Sequence, residues 1–326
     1  IKLLQFGEGN FLRAFADYFV QLANEAGAYN GNIVIVKPTN RGDISKFVSQ
    51  HCIYNVVTRG LQDGKAIEDI TCIDSISAII NPYEDFISYM SYAHCDTLEA
   101  ILSNTTEAGI VYSEDDCFDD KPASTFPGKL TQFLYERFLW FNGNYSAGLH
   151  ILPCELIENN ADKLKACIMQ YASKWQLPGA FAEWLHTACT FHNTLVDRIV
   201  SGFPATDAPR YFEKIGWEDR LLTVAEPFAL WVIEADKPSC DVAAAQIAKL
   251  KLPILLTQDV SPYRERKVRI LNGLHTSFAL LAWLCGYDYV REAVKDPMIK
   301  SYIDNLLCNE IIPYLTLPKE ESTIFA

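Results

Sequence analysis

Three side chains in the last quarter of the chain could move a proton to and from an oxygen. Lys267, Asn272 and His275 lie in the run Lys267-Val268-Arg269-Ile270-Leu271-Asn272-Gly273-Leu274-His275. At about 100° per residue, a helical reading puts the amine, the amide and the imidazole within a ~140° arc around Leu271, so that they can share one cavity. An amine there can act as general acid or base, and a carboxamide can stabilise charge developing on a substrate oxygen. The same residue types also describe a helix with a solvated Lys, an Asn cap and a core His. An ordinary lysine titrates near 10.4, whereas efficient proton transfer wants a group near working pH. The chemical reading therefore needs burial or neighbouring cations, and Arg264, Arg266 and Arg269 are the candidates for the latter.

Such a segment needs an element to hold a second reactant, and the chain opens on one. Lys2 to Phe6 read as a short apolar strand running into Gly7-Glu8-Gly9-Asn10-Phe11-Leu12-Arg13-Ala14-Phe15, with an amphipathic helix continuing to about Ala26. A glycine turn between strand and helix lets backbone N–H groups face a pyrophosphate, because no Cβ blocks the approach. Leu12 stands where the full fingerprint has its third glycine. Asn32 to Val36 then read as a buried strand, which completes a βαβ unit. An acidic residue at the end of that strand would hold the 2'-hydroxyl of NAD ribose. Lys37 stands there instead, and it either meets the 2'-phosphate of NADP or is a solvated strand end.

Further along, Tyr54 to Thr58 and Ala66 to Ile70 flank Asp63-Gly64 and predict a hairpin. Tyr83 to Ala93 reads as a helix, Thr97 to Leu102 as the next core strand, Leu130 to Trp140 as a helix and Glu114 to Asp120 as a solvated acidic loop. A strand from Leu149 and a helix from Ala161 to Trp175 follow. In an open parallel sheet, ligands sit beyond the carboxyl ends of the strands, which makes Asn104 and Thr105 candidates to line a nicotinamide ribose. The fold class is α/β, a Rossmann-like doubly wound sheet domain followed by a mainly α-helical C-terminal domain. The boundary is expected near residue 245, giving 1–245 and 246–326. The first strand without a preceding Met, and the last residues stopping inside an apparent helix start, lead us to expect a missing C-terminal portion.

The pattern Lys-x4-Asn-x2-His at Lys267, Asn272 and His275 resembles the signature of the mannitol dehydrogenase family, the long-chain polyol-specific dehydrogenases. So do Gly7-x-Gly9-x-Phe11-x-Arg13-Ala14-Phe15, the Thr-Glu-x-Gly segment at Thr106-Glu107-Ala108-Gly109, Asn193-Thr194-Leu195-Val196-Asp197-Arg198-Ile199, and Glu226-Pro227-Phe228 with Trp231-Val232-Ile233. Phe6 to Phe15, Ser103 to Ile110 and Pro153-Cys154-Glu155-Leu156-Ile157 resemble most the branch of that family that reduces a keto sugar acid other than fructuronate. Fructuronate reductases and mannitol dehydrogenases read more like Cys-Asp-Asn-Leu at the third place.

The resemblance implies reversible hydride transfer, without a metal, between NAD and an open-chain sugar acid, NADP not being excluded. Lys267 would be the general acid/base, Asn193 and Asn272 would bind the reacting oxygen, and His275 would orient substrate or amine. Glu107 would relay protons to water. The turn at Phe6, Gly7, Glu8, Gly9, Asn10, Phe11 and Arg13, with Lys37, Asn104 and Thr105, would hold the dinucleotide. Arg198 and Arg269 are the candidates for the substrate carboxylate.

Composition limits the alternatives. The chain has 326 residues, 49% apolar and 21% charged, with a formal net charge of -13. That acidity argues against a nucleic-acid surface and against anionic membranes. The ten cysteines form no CxxC pair and no Cys/His set at zinc spacing, which fits reduced cytoplasmic thiols and disfavours a zinc alcohol dehydrogenase. No apolar run approaches the ~18 residues of a membrane span, and the first residues read as a strand rather than a signal peptide. A catalytically silent sugar-acid or nucleotide-binding protein is the alternative from another class.

Overall fold

Strands buried on both faces read as nearly continuous apolar runs, and the first strands here do, with Gln5 the one polar residue, its Nε2 donating to Gly7 O at 3.0 Å. The computed structural model describes residues 1–62, 64–106, 108–235, 250 and 252–315. It divides into two units, Ile1–Gln258 and Asp259–Ala326. The expected boundary near residue 245 and the catalytic candidate Glu107 both lie outside the described residues.

In the first unit the strands are β1 (Leu3–Phe6), β2 (Ile33–Val36), β3 (Tyr54–Gln62), β4 (Lys65–Ile73), β5 (Ile76–Ile80), β6 (Ala100–Ser103), β7 (His150–Pro153), β8 (Thr190–Phe191), β9 (Thr194–Asp197), β10 (Val200–Gly202), β11 (Thr223–Ala225), β12 (Leu230–Glu234) and β13 (Ile254–Thr257). The main sheet runs β5-β2-β1-β6-β7-β8 with every neighbour parallel. Its strand order is that of a doubly wound nucleotide-binding sheet, which places the topological switch between β1 and β6.

Alternation sends Leu3, Ile33, Ile35, Ala100 and Leu102 into one core, with Phe15, Phe19 and Val20 of the helix side. Leu4, Phe6, Val34, Val36, Ile101 and Ile151 enter the other. Helices Phe126–Trp140, Asn160–Lys174 and Gly179–Thr187 close that second face through Leu130, Phe133, Leu164, Ile168, Phe181 and Trp184. The first-face core also takes in Trp231 and Ile233 of β12, which pairs with β9 and β13 in a three-stranded sheet. The expected hairpin is present as β3 and β4, antiparallel from Tyr54↔Ile73 to Gln62↔Lys65, in a second sheet ordered β10-β11-β3-β4. Asp63 in its turn is outside the described residues.

Two local expectations change. The helix after the glycine turn is not continuous: it runs Asn10–Arg13 and restarts at Ala16–Glu25. The acidic run 114–120 is not wholly solvated, because Asp116 is buried and accepts from Ser124 N at 2.7 Å, Thr125 Oγ1 at 2.7 Å and Tyr171 Oη at 2.8 Å. Burial alone would raise its carboxyl, yet those donors hold it at about 2.

In the second unit a short helix Ser261–Glu265 passes into a π-helical segment Arg266–Asn272 and then an α-helix Gly273–Leu284. Its apolar clusters centre on Ile270 with Leu307 and on Phe278 with Ile299.

Candidate functional site

The glycine turn sits at the carboxyl end of β1, at the switch point. Gly7 has φ +128°, and a Cβ on it would lie 2.9 Å from the Asn104 carbonyl oxygen at the end of β6. The β1 and β6 ends are held together there by Asn104 N donating to Phe6 O at 3.0 Å, while Gly7 N ties the bend to β2 by donating to Val36 O at 3.2 Å. Gly9 is the N-cap of Asn10–Arg13, and a Cβ there would meet nothing within 4 Å. The first N–H groups of a helix have no intrahelical partner, so open space in front of them suits a pyrophosphate. Leu12, in place of the third glycine, is buried in a turn that ends at Arg13, and the helix break accommodates it.

The other residues of the turn divide by role. Phe6 buries its ring against Phe126 and Tyr89, so only its backbone borders the turn. Phe11 stacks on Phe15 at 4.9 Å between centroids. Arg13, expected among the cofactor contacts, instead faces the interior: its guanidinium donates to Leu221 O and to Asn10 Oδ1 and lies over the Phe47 and Tyr54 rings. It shapes the turn from below. Glu8 is half-buried, and burial pushes its carboxyl up while Lys37 and Arg13 draw it back. Lys37 is no solvated strand end, because it is 1% exposed and its amine donates to Gly42 O at 2.7 Å.

Beyond β6, Asn104 Nδ2 donates to Cys154 O at 3.0 Å, and Thr105 N and Oγ1 donate to Glu155 Oε1 at 2.9 and 2.8 Å. Asn193 is buried between β8 and β9. Its Oδ1 accepts from Ala161 N at 3.0 Å and Asp162 N at 3.3 Å, while its Nδ2 donates to Asp162 Oδ2 at 2.9 Å and Glu234 Oε1 at 3.3 Å. The amide expected to hold a substrate oxygen thus secures the start of helix Asn160–Lys174. His192 stays structural, with Nδ1 at 2.9 Å from Glu234 O and Nε2 at 3.0 Å from His150 Nδ1. Arg198, a candidate for a substrate carboxylate, is committed to Ala14 O, Glu226 O and Thr58 Oγ1 over the Tyr18 ring.

In the second unit Lys267 is half-buried and Asn272 and His275 are exposed. The π winding bears on their grouping. Gly273 N bonds to Val268 O, five residues back, and this wider turn rotates less per residue than an α-helix. Positions five apart, such as Lys267 and Asn272, therefore come nearer to one face than the α-helical arc allows. His275 Nδ1 lies 2.8 Å from Leu271 O. A carbonyl only accepts, so Nδ1 carries a proton, and in the neutral ring Nε2 then offers a lone pair. Arg269 is exposed, with Nε 3.7 Å from Glu265 Oε1.

One group that residue spacing did not reveal is Asp17, inaccessible beneath the turn, which accepts from Tyr54 Oη at 2.6 Å. A carboxylate among Ala16, Phe19 and Val20 on the apolar side of a helix was its only signal. Burial pushes its carboxyl up from 3.8 to about 7, against the opposing pull of Tyr54, Gln5 and Arg13. Between those two values the native state holds a proton that the unfolded chain has lost, so this group makes stability fall as pH rises from about 4 to 7. Asp17→Asn should remove that slope. We expect melting temperatures of variant and wild type to diverge in the variant's favour from pH 5 to pH 8, and parallel curves would refute the assignment.

A family model described as the mannitol dehydrogenase Rossmann domain matches residues 1–243, and the mannitol dehydrogenase C-terminal domain matches residues 259–326. Altronate oxidoreductase of Phocaeicola vulgatus is 43% identical over 325 residues, covering 100% of this chain and 67% of that protein. The Shigella sonnei altronate oxidoreductase is 41% identical over 326 residues with the same coverage. Among solved structures, D-sorbitol dehydrogenase in substrate-free form has a TM-score of 0.81 at 22% identity, covering 100% of this chain and 69% of that one. Pseudomonas fluorescens mannitol 2-dehydrogenase, solved as a ternary complex with NAD and D-mannitol, has a TM-score of 0.77 at 20% identity, covering 99% and 67%. At those identities the two structures speak for the fold. Matches to both domain models, joined to a doubly wound sheet with its glycine turn at the switch point, make this chain a member of the mannitol dehydrogenase family.

Proposed function

We propose that this chain catalyses the reversible, NAD-dependent reduction of tagaturonate to altronate. The observation that carries the reading is identity of 41–43% along the whole chain to proteins named altronate oxidoreductase. The glycine turn supports it as the dinucleotide cradle, through the glycine-only conformation of Gly7 and the clear space before Gly9. A nicotinamide bound there supplies the hydride that passes to the ketone carbon. Lys267 gives its Nζ proton to the ketone oxygen in reduction and takes it back in oxidation. Asn272 donates an amide hydrogen to that oxygen as negative charge grows on it. His275, with its Nε2 lone pair, accepts from the substrate or from the Lys267 amine. Arg269 is left as the candidate for the substrate carboxylate.

NAD is favoured over NADP because the Lys37 amine is engaged with Gly42 O. The reaction is written without a metal, since proton transfer at an amine does the work that a Lewis acid otherwise would. A cytoplasmic setting is part of this proposal; among the described residues no helix is long and apolar enough to cross a membrane, and nine cysteines are free. Fructuronate reduction and mannitol-type polyol oxidation are the alternatives within the family.

The test follows absorbance at 340 nm with purified protein, offering tagaturonate, fructuronate and fructose with NADH and with NADPH, in the presence and absence of EDTA. We expect tagaturonate with NADH to give the highest kcat/KM, unaffected by chelator. A preference for fructuronate or fructose would reassign the substrate. No turnover with any pair, despite NADH binding, would favour a silent binding protein.

A further inference from the structure

The carboxyl edge of β7 carries a buried acid that the proposed reaction does not use. Glu155 is 2% exposed. Its Oε2 accepts from Ser103 Oγ at 2.9 Å, and its Oε1 accepts from Thr105 N at 2.9 Å and Thr105 Oγ1 at 2.8 Å. All three donors are neutral, one from the last residue of β6 and two from the turn that leaves it beside Gly7. That turn is under constraint. Thr106 has φ +76°, a conformation unusual for a β-branched residue, and Gly109 packs so closely that a Cβ on it would lie 2.0 Å from Thr105 Oγ1. Strained backbone persists only where its surroundings over-determine it, and Glu155 holds Thr105, the residue just before Thr106, through both its N–H and its hydroxyl. The same turn is tied to both neighbouring strands, through Asn104 N to Phe6 O, Asn104 Nδ2 to Cys154 O and Cys154 N to Ser103 O at 2.7 Å.

We propose that Glu155 is a positioning residue for dinucleotide binding, which acts by offering paired acceptors that hold the Ser103–Thr106 turn against the Gly7 bend. The inference rests on the reading of that bend as a dinucleotide cradle. Acceptor geometry, rather than negative charge, is what the turn requires. A glutamine satisfies it: the amide oxygen can accept both Thr105 donors, and its nitrogen can donate to Ser103 Oγ, since a hydroxyl accepts as readily as it donates. An alanine leaves the Thr105 N–H and two hydroxyls without their partner.

The experiment measures NADH affinity by quenching of intrinsic fluorescence, alongside KM for NADH, kcat and melting temperature. Glu155→Ala should raise the dissociation constant and KM for NADH by about tenfold while kcat changes less than about threefold. Glu155→Gln should restore both to within about twofold of wild type. If Glu155→Ala does not fold, Ser103→Ala, which removes one donor of the same set at a residue with no cofactor role, should still weaken NADH by about threefold. A folded Glu155→Ala, or a Ser103→Ala replacing it, that binds NADH as wild type does would overturn the proposal. So would a Glu155→Gln as weak as the alanine variant, since charge would then be the cause. Wild-type protein that binds neither NADH nor NADPH would remove the cradle reading itself, and this inference with it.

Discussion

Lys267→Ala should lower kcat for tagaturonate reduction by on the order of 10³-fold, within the usual contribution of a positioned general acid. The size follows from what the alanine removes. Reduction places charge on the ketone oxygen as hydride arrives, and without a proton donor that charge is left to water and to the Asn272 amide. Residual turnover should recover when small primary amines are added, because an amine of suitable basicity can diffuse into the volume vacated by the side chain. NADH affinity, attributed to the glycine turn, should stay within about twofold of wild type, and KM for tagaturonate should change far less than kcat. A variant retaining more than about a tenth of wild-type kcat would eliminate the amine as acid/base. A fall in NADH affinity matching the fall in kcat would point to a folding defect instead.

Much of the scaffold for that chemistry was legible because it is written locally. Ile33 to Val36 is an apolar run of strand length and Leu3 to Phe6 is one but for Gln5, Gly7 and Gly9 mark the bend between strand and helix, and Gly64 marks the β3–β4 turn. The least legible features depend on partners far away in sequence. Asp116 sits in an acidic run and reads as solvated, yet one of its donors is Tyr171, on a helix 55 residues later. Asn193 reads as a turn former or a substrate ligand, and its side-chain oxygen accepts from Ala161 N, 32 residues earlier, in the first turn of a helix. Arg13 and Arg198 look like anion binders by type, but each guanidinium is buried on backbone carbonyls.

Winding is illegible for a different reason. No residue pattern separates α from π geometry over Arg266–Asn272, so fixed steps of about 100° misstate the angular separation of Lys267 and Asn272. Glu155 was visible only as one member of a family-like segment. Its demand for donors inside an apolar strand end was a stronger clue than the segment itself.

The second large effect is expected at Gly7. Alanine at φ +128° is strained whatever space surrounds it, and its methyl would approach the backbone oxygen of Asn104 to 2.9 Å. Backbone cannot yield as a flexible side chain can, so the bend must move away from the end of β6. The free protein relieves the strain by that shift, whereas dinucleotide binding requires the bend back in place. A strain of about 3 kcal/mol borne on binding corresponds to roughly 10²-fold in NADH affinity. Gly9→Ala separates strain from occupancy. Gly9 has φ −68°, and its added methyl meets nothing within 4 Å, so the melting temperature should be unchanged. If a pyrophosphate approaches that surface, the methyl will nonetheless stand in its way, and NADH should weaken by about tenfold or more in a protein of wild-type stability. A Gly9→Ala variant that binds NADH normally, together with a folded Gly7→Ala that does the same, would place the dinucleotide elsewhere. Loss at Gly7 alone would mean that the bend is needed only for the join between β1 and β6.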